Sequence, residues 1–234
     1  MTAAAVEFQQ VVKQFGSGPT AVTALAGVDL RVETASFLAV MGPSGCGKST
    51  LLHLAAALDD PTAGSVRVGG RELAGLSMEG RAQVRRDTVG LVFQRLNLIA
   101  SLTAKENVAL PLELDGVRPK VARAAAADAL ARVGLRDSLD RYPDHFSGGQ
   151  QQRIAVARAL VGSRSVLLAD EPTAALDTRS ADDIVELLAS LPASSGTTVV
   201  LVTHDPRLAS WAQRTVFLRD GVVVDDTARL EATA

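Results

Sequence analysis

Several short segments of this chain carry side chains able to handle a chain of phosphates. Gly42-Pro43-Ser44-Gly45-Cys46-Gly47-Lys48-Ser49 satisfies G-x-x-x-x-G-K-[ST]. In that spacing, glycines let backbone N–H groups wrap a triphosphate, the lysine reaches the β- and γ-phosphates, and the hydroxyl holds Mg²⁺. Lys48 is then a point cation, Ser49 a Mg²⁺ ligand and Thr50 a donor to the α-phosphate. A helix starting at Lys48 adds the positive end of its dipole. Ser147-Gly148-Gly149-Gln150 opens another predicted helix, so its N–H groups and the Ser147 hydroxyl form a second anion site. Asp170 and Glu171 stand where an apolar strand emerges, so one carboxylate can face a Mg²⁺ shell while its neighbour faces the γ-phosphate. Phosphoryl transfer leaves little covalent work to a protein, and positioning and charge neutralisation dominate.

The elements that must position these groups are legible as patterns. Short apolar alternations over Val6–Val12 and Val22–Val40, broken by Phe15-Gly16-Ser17-Gly18-Pro19, predict an antiparallel strand system. Val40 runs into the glycine-rich loop and Lys48–Leu58 follows as a helix, the strand–loop–helix context that such a loop requires. Ser65–Val68 with Gly69-Gly70 predicts a hairpin, and Thr88–Phe93 a buried strand ending at Gln94. From there to about Leu160 the pattern is helical: Thr103 caps one helix, Pro119 opens a second and Ser147 caps a third. Strands at Val166–Ala169, Thr198–Val202 and Thr215–Leu218 then alternate with helices near Ser180–Leu191 and Pro206–Ala212, the order of a mostly parallel sheet. Asp220-Gly221 turns into a last short strand.

With the second glycine motif, the strand ending Asp170-Glu171 and Val202-Thr203-His204-Asp205, the sequence resembles an ABC ATPase, the nucleotide-binding subunit of ATP-driven transporters, over nearly the whole chain. The resemblance implies an α/β fold, a P-loop NTPase with a RecA-like core, an antiparallel β subdomain and an inserted α-helical subdomain. The core and β subdomain would take residues 1–94 and 162–234, and the helical subdomain residues 95–161. It also implies ATP and Mg²⁺, with Asp170 supporting the metal and Glu171 polarising the attacking water. Gln94, in Val92-Phe93-Gln94, would touch the metal and that water and hinge the helical lobe, and His204 would be the switch histidine on the γ-phosphate. Phe15 falls where related chains carry an aromatic that stacks on adenine; it keeps the π-face without a tyrosine hydroxyl. A signature motif redundant within one chain is explained if two subunits pack head to tail, each closing Ser147, Gly148, Gly149 and Gln150 on the ATP of its partner. Asp177 would lie at that seam. Two positions depart from the family pattern: Ala174 stands where a polar or glycine residue is usual, which removes side-chain contacts there, and Phe146 replaces leucine.

Phe93-Gln94-Arg95-Leu96-Asn97-Leu98-Ile99 with Leu102-Thr103-Ala104-Lys105-Glu106-Asn107-Val108 looks most like the branch of lipoprotein-release, macrolide-export and cell-division ATPases. A regulatory ATPase acting on a membrane partner is the alternative. Chromosome-maintenance relatives place long insertions between the two glycine motifs, and translation relatives carry two cassettes, unlike this sequence. With net charge −2 and pI about 5.9, the chain has no sequence-wide footprint for nucleic acid. The basic cluster Arg81, Arg85 and Arg86 reads as a solvated helix face. The single cysteine, Cys46, excludes an intrachain disulfide and reads as a small residue filling the loop. Met1–Glu7 has no signal-peptide pattern, and no run approaches the roughly 20 apolar residues of a membrane span. The expectation is a cytoplasmic subunit, peripheral at the inner face of the membrane, with a separate transmembrane permease. An apolar surface around Leu96, Leu98, Ile99 and Leu102 would receive a short helix from that permease.

Overall fold

The computed structural model describes residues 4–228, so part of the Met1–Glu7 stretch lies outside the described residues. β1 (Ala4–Phe15) and β2 (Val22–Glu33) pair antiparallel, with Val6 opposite Val32 and Lys13 opposite Leu25. The next strand, β3 (Phe37–Met41), leaves this pair, whereas the sequence pattern groups Val22–Val40 into one antiparallel system. Ala35 takes a φ of 52° in the intervening turn, and every residue of β3 is buried, as in a strand covered on both faces. Helix α1 (Lys48–Ala55) follows the glycine-rich loop; it stops short of Leu58 because Ala57 adopts a left-handed φ of 52°. β4 (Ala63–Val68) and β5 (Arg71–Glu72) complete a four-stranded sheet in the order β2-β1-β4-β5.

Helix α2 (Met78–Asp87) is capped by Ser77, whose hydroxyl accepts from Gly80 N. Its arginines are engaged locally: Arg81 pairs with Asp60 at 2.6 Å, Arg86 with Glu79 at 2.5 Å, and Arg85 donates to the Ala57 carbonyl at 2.6 Å. β6 (Val89–Val92) leads into the helical layer of α3 (Ala104–Leu114), α4 (Pro119–Arg132) and α5 (Gly148–Leu160). Helices α3 and α5 both begin with a capping box, Thr103 with Glu106 and Ser147 with Gln150, which satisfies orphan amides at each helix start. The chain returns through β7 (Val166–Asp170), α6 (Thr178–Ser195), β8 (Thr198–Val202), α7 (Pro206–Ala209), β9 (Arg214–Arg219) and β10 (Val222–Asp226). Helix α7 is shorter than the pattern Pro206–Ala212 predicts. Among the described residues no helix is long and apolar enough to cross a membrane.

The second sheet runs β10-β9-β3-β8-β7-β6, parallel except for β10 against β9. Strands β7 and β8 alternate between two cores. Val166, Leu168, Val200 and Val202 pack with Leu51, Leu52 and Leu54 of α1, while Leu167, Ala169, Val199 and Leu201 pack with Ile184 and Leu188 of α6 and Ile154 of α5. The period-two pleat thus joins the nucleotide-loop helix to one face and the helical layer to the other. Gly90 in β6 lies directly against the main chain of α5, where a β-carbon would collide with the Ala159 carbonyl. Gly90→Ala is therefore expected to cost about 2 kcal/mol through overpacking, read as a lower urea midpoint; an unchanged midpoint would show that this contact is slack.

Candidate functional site

The parallel register sets the site. Val40, Val202 and Asp170 lie side by side across β3, β8 and β7, and Val92 faces Ala169. The residues that follow these strand ends therefore share one edge of the sheet: the loop from Gly42, Glu171, Thr203-His204 and Phe93-Gln94. Main-chain bonds tie them, Thr203 N to Val40 O at 3.2 Å and Glu171 N to Val202 O at 3.0 Å. Crevices outside the carboxyl ends of parallel strands are the ordinary binding places of such sheets.

Gly42 takes a φ of 149°, and a β-carbon there would meet the Leu218 carbonyl and lie 2.7 Å from Cys46 Sγ. Gly47, with φ 105°, passes equally close beneath the Ala24 carbonyl. Only glycine lets the loop close this tightly over the core. Lys48 is 8% exposed and curls back across the loop, its Nζ donating to Gly42 O at 2.7 Å and Pro43 O at 2.8 Å. Pro43, Ser44, Gly45 and Ser49 are exposed and Thr50 is half-buried at the start of α1. Cys46 differs from its loop neighbours: it is 4% exposed and packs in the core beneath the loop. Its side chain points away from the open face, which leaves only its backbone to serve a ligand.

Glu171 has a φ of 45°, a strained region for a residue with a β-carbon, immediately before Pro172. Its Oε1 lies 2.7 Å from His204 Nδ1, and the two side chains are 17% and 71% exposed. The more accessible partner is the imidazole, so the carboxylate is held from one side by a group free to rotate away. Gln94 is exposed just past the end of β6. Among the described residues no three His, Cys, Asp or Glu side chains gather as a metal cage. The donors on this edge are single oxygens, the Ser49 hydroxyl, the Asp170 carboxylate and the Gln94 amide. Such a set suits Mg²⁺, which takes one or two protein oxygens and completes its shell with phosphates and water.

Ser147 does not join this group. Its hydroxyl accepts from Gln150 N at 3.3 Å and its own N–H donates to Gln150 Oε1 at 3.1 Å, on an exposed helix start. Gly148 lies against Leu176 and Gly149 against Ser180. A cleft of 280 Å³ runs past Ser147, Gly149, Gln150, Arg153, Ser180 and Asp183. The second anion site thus packs on the start of α6, and among the described residues none of its hydrogen bonds reaches the loop at Gly42–Ser49. Asp177 caps α6, and the Ser180 N–H at 3.0 Å and Ser180 hydroxyl at 2.7 Å hold its carboxyl below the usual range. Phe15 is 46% exposed, which sets aside core packing, and Lys13 Nζ sits 4.9 Å from its ring centroid. Lys13 is itself fixed by Asp59 at 2.6 Å.

Two features escape the sequence reading. Asn107, fully buried on α3, donates through Nδ2 to the carbonyls of Ile99, Leu102 and Thr103 and accepts from Ile99 N. Its signal is a polar residue beside Val108 and Ala109 on the inward face of the helix. The expected apolar surface also shifts: Leu98 packs into the helical core, leaving Ile99 exposed. The open apolar groove, 310 Å³, lies instead along Leu91, Phe93 and Pro111, bordered by Arg85, Arg158 and Arg164.

The family model described as "ABC transporter" matches residues 25–174. The chain is 45% identical to the macrolide export ATP-binding/permease protein MacB of Hyphomonas neptunium over 234 residues, all of this chain but 36% of that protein. It is 46% identical to the lipoprotein-releasing system ATP-binding protein LolD of Geobacter metallireducens, covering 94% of this chain and 98% of that one. Thus the chain spans about a third of its MacB relative and nearly the full length of LolD. The solved dimeric post-hydrolysis state of the ATP-binding cassette MJ0796 bound to ADP and Pi superimposes with a TM-score of 0.85 at 39% identity, over 94% of this chain and 97% of that chain.

The burial of Cys46 gives a direct test of the loop. Alkylation of the native protein should be slower than that of a free thiol by roughly 10² or more, as expected for an inert buried cysteine. Labelling at the rate of the urea-unfolded chain would show that the loop opens freely in solution.

Proposed function

The chain belongs to the ABC transporter family of ATP-binding proteins, and from that premise we propose that it binds and hydrolyses ATP to drive a separate membrane permease through ATP-dependent dimerisation. The observation that carries this reading is the divergence of the two anion sites. The loop at Gly42–Ser49 opens on the sheet edge, while Ser147 opens beside Ser180. A second copy, head to tail, supplies Ser147, Gly148, Gly149 and Gln150 to the triphosphate held by the first, with Asp177 near the seam. The dimeric MJ0796 cassette supports that assembly, and the names of MacB and LolD support extrusion or release as the work done.

Within one site, Lys48 exchanges its two carbonyl acceptors for the β- and γ-phosphates, since opposite charge makes the phosphate bond the stronger one. Ser49, Asp170 and Gln94 hold Mg²⁺, which neutralises developing charge on the phosphates when bound. Glu171 orients and polarises the attacking water after His204 rotates from it onto the γ-phosphate. Phe15 stacks on the adenine, its far side backed by Lys13. The subunit sits peripherally at the inner face of the membrane, and the groove at Leu91, Phe93 and Pro111 receives a short helix of the permease. Regulation of a membrane partner, rather than pumping, uses the same parts.

Glu171→Gln should retain ATP binding and lose turnover by about 10²–10³, the effect of removing one positioned transition-state group. With MgATP the same variant should elute as a dimer on a sizing column. Unchanged turnover would sink the role of Glu171, and a monomer in saturating MgATP, even with the co-purified permease, would sink the sandwich. Native co-purification of a transmembrane subunit tests the transport reading itself.

A further inference from the structure

The loop that carries Gln94 is bound to α5 by one side chain. Arg158 donates through Nη2 to the Leu96 carbonyl at 2.6 Å and through Nη1 to the Asn97 carbonyl at 2.7 Å. Asn97 takes a left-handed φ of 49°, so the main chain turns sharply just where the guanidinium holds it. Burial lowers the Arg158 pKa, and the bonds its guanidinium makes here are to main-chain carbonyls. Desolvating a guanidinium against neutral acceptors is costly, so packing alone would favour an apolar residue. What the arginine adds is a planar fork able to fix two successive carbonyls at once.

The linkage continues beyond the loop. The Arg158 carbonyl accepts from Arg164 Nη1 at 3.1 Å, Arg164 Nε donates to Arg85 O at 3.4 Å, and Arg85 Nη1 donates to Ala57 O at 2.6 Å. Ala57 lies just past α1, the helix that begins at Lys48. On the other side of the loop, Asn107 fixes Ile99, Leu102 and Thr103. The segment from Leu96 to Thr103 is therefore clamped from two helices, and the exposed Gln94 stands two residues before the clamped Leu96.

We infer that Arg158 is a positioning residue that locks the Gln94 loop to α5, so that Gln94 and the Ser147 end of the same helix move as one body. At about 1.5 Å per residue, Arg158 lies roughly 16 Å along the helix from Ser147. A nucleotide-dependent shift of Gln94 at one site then carries Ser147, which faces the nucleotide of the neighbouring copy. The inference rests on the roles proposed above for Gln94 and Ser147, and what it adds is Arg158 as the residue that fastens the loop to the helix.

The test is a double-mutant cycle on the full chain, with ATPase rate against ATP concentration for wild type, Arg158→Ala, Gln94→Ala and the double variant. Arg158→Ala should bind a fluorescent ATP analogue as wild type does, lose kcat by about tenfold and lose cooperativity in ATP. Its effect should be strongly non-additive with that of Gln94→Ala, because the two act through one element. Arg158→Lys, which keeps the charge without the fork, should fall between wild type and alanine; should the alanine variant fail to fold, the lysine variant supplies the same cycle. Additive effects, or a folded Arg158 variant with wild-type kcat and cooperativity, overturn the inference. A wild-type kcat in Gln94→Ala would remove the role of Gln94 and the inference with it. A lowered kcat in that variant with additivity removes the inference alone.

Discussion

The edge that gathers the glycine loop, Asp170, Glu171 and His204 depends on the parallel register of β3, β8 and β7. Because Val40, Val202 and Asp170 are neighbours across three strands, the chain must deliver a glycine loop, a carboxylate pair and a histidine to one edge of the sheet. The alternation of β7 and β8 between two cores holds the register, since a slip of one residue would send Leu168 and Val200 to the face of Leu167 and Val199. The site is precise because it stands on strand ends whose side chains are buried on both faces.

Around that edge, charges are parked on weaker partners. Lys48 rests on two carbonyls of its own loop, and Glu171 rests on the exposed His204. Each arrangement satisfies a polar group that would otherwise be desolvated without a partner, and under the proposed function each gives way when nucleotide binds. The backbone strain at Glu171 lies on the same edge: its φ of 45° is held by the bond from its N–H to Val202 O, against the extended preference of a residue before proline. Strain kept where the chemistry happens is expected to be sustained by the surrounding structure.

The helical layer solves a different problem. Its helices are satisfied internally by capping boxes at Thr103 and Ser147 and by the Asn107 clamp, while its apolar side chains run into one cluster with the sheet and α6. It meets the sheet across the apolar cluster that Ile154 shares with Leu167, Ala169, Val199 and Leu201, at Gly90 against Ala159, and, in the loop after β6, through arginine–carbonyl bonds. Main-chain carbonyls make that seam insensitive to most side-chain changes in the loop while remaining sensitive to the arginines.

The sequence by itself determined the local structure wherever the cause is local. The strand–glycine loop–helix at Val40–Ala55, the caps at Thr103 and Ser147 and the apolar runs of β7 and β8 were all readable, because spacing and residue type act within a few positions. The family resemblance was readable for the same reason, since its motifs are short. What the tertiary structure decided are matters of distance along the chain. The departure of β3 from the antiparallel strands, the inward turn of the Cys46 thiol, the burial of Leu98 and the reach of Arg158 to Leu96 and Asn97 join residues whose separation in sequence carries no periodic signal. A buried Asn107 or a half-buried Arg158 looks like an ordinary polar residue on a helix until packing removes much of its water. Only then must its hydrogen bonds be found inside the protein, and their partners define its place.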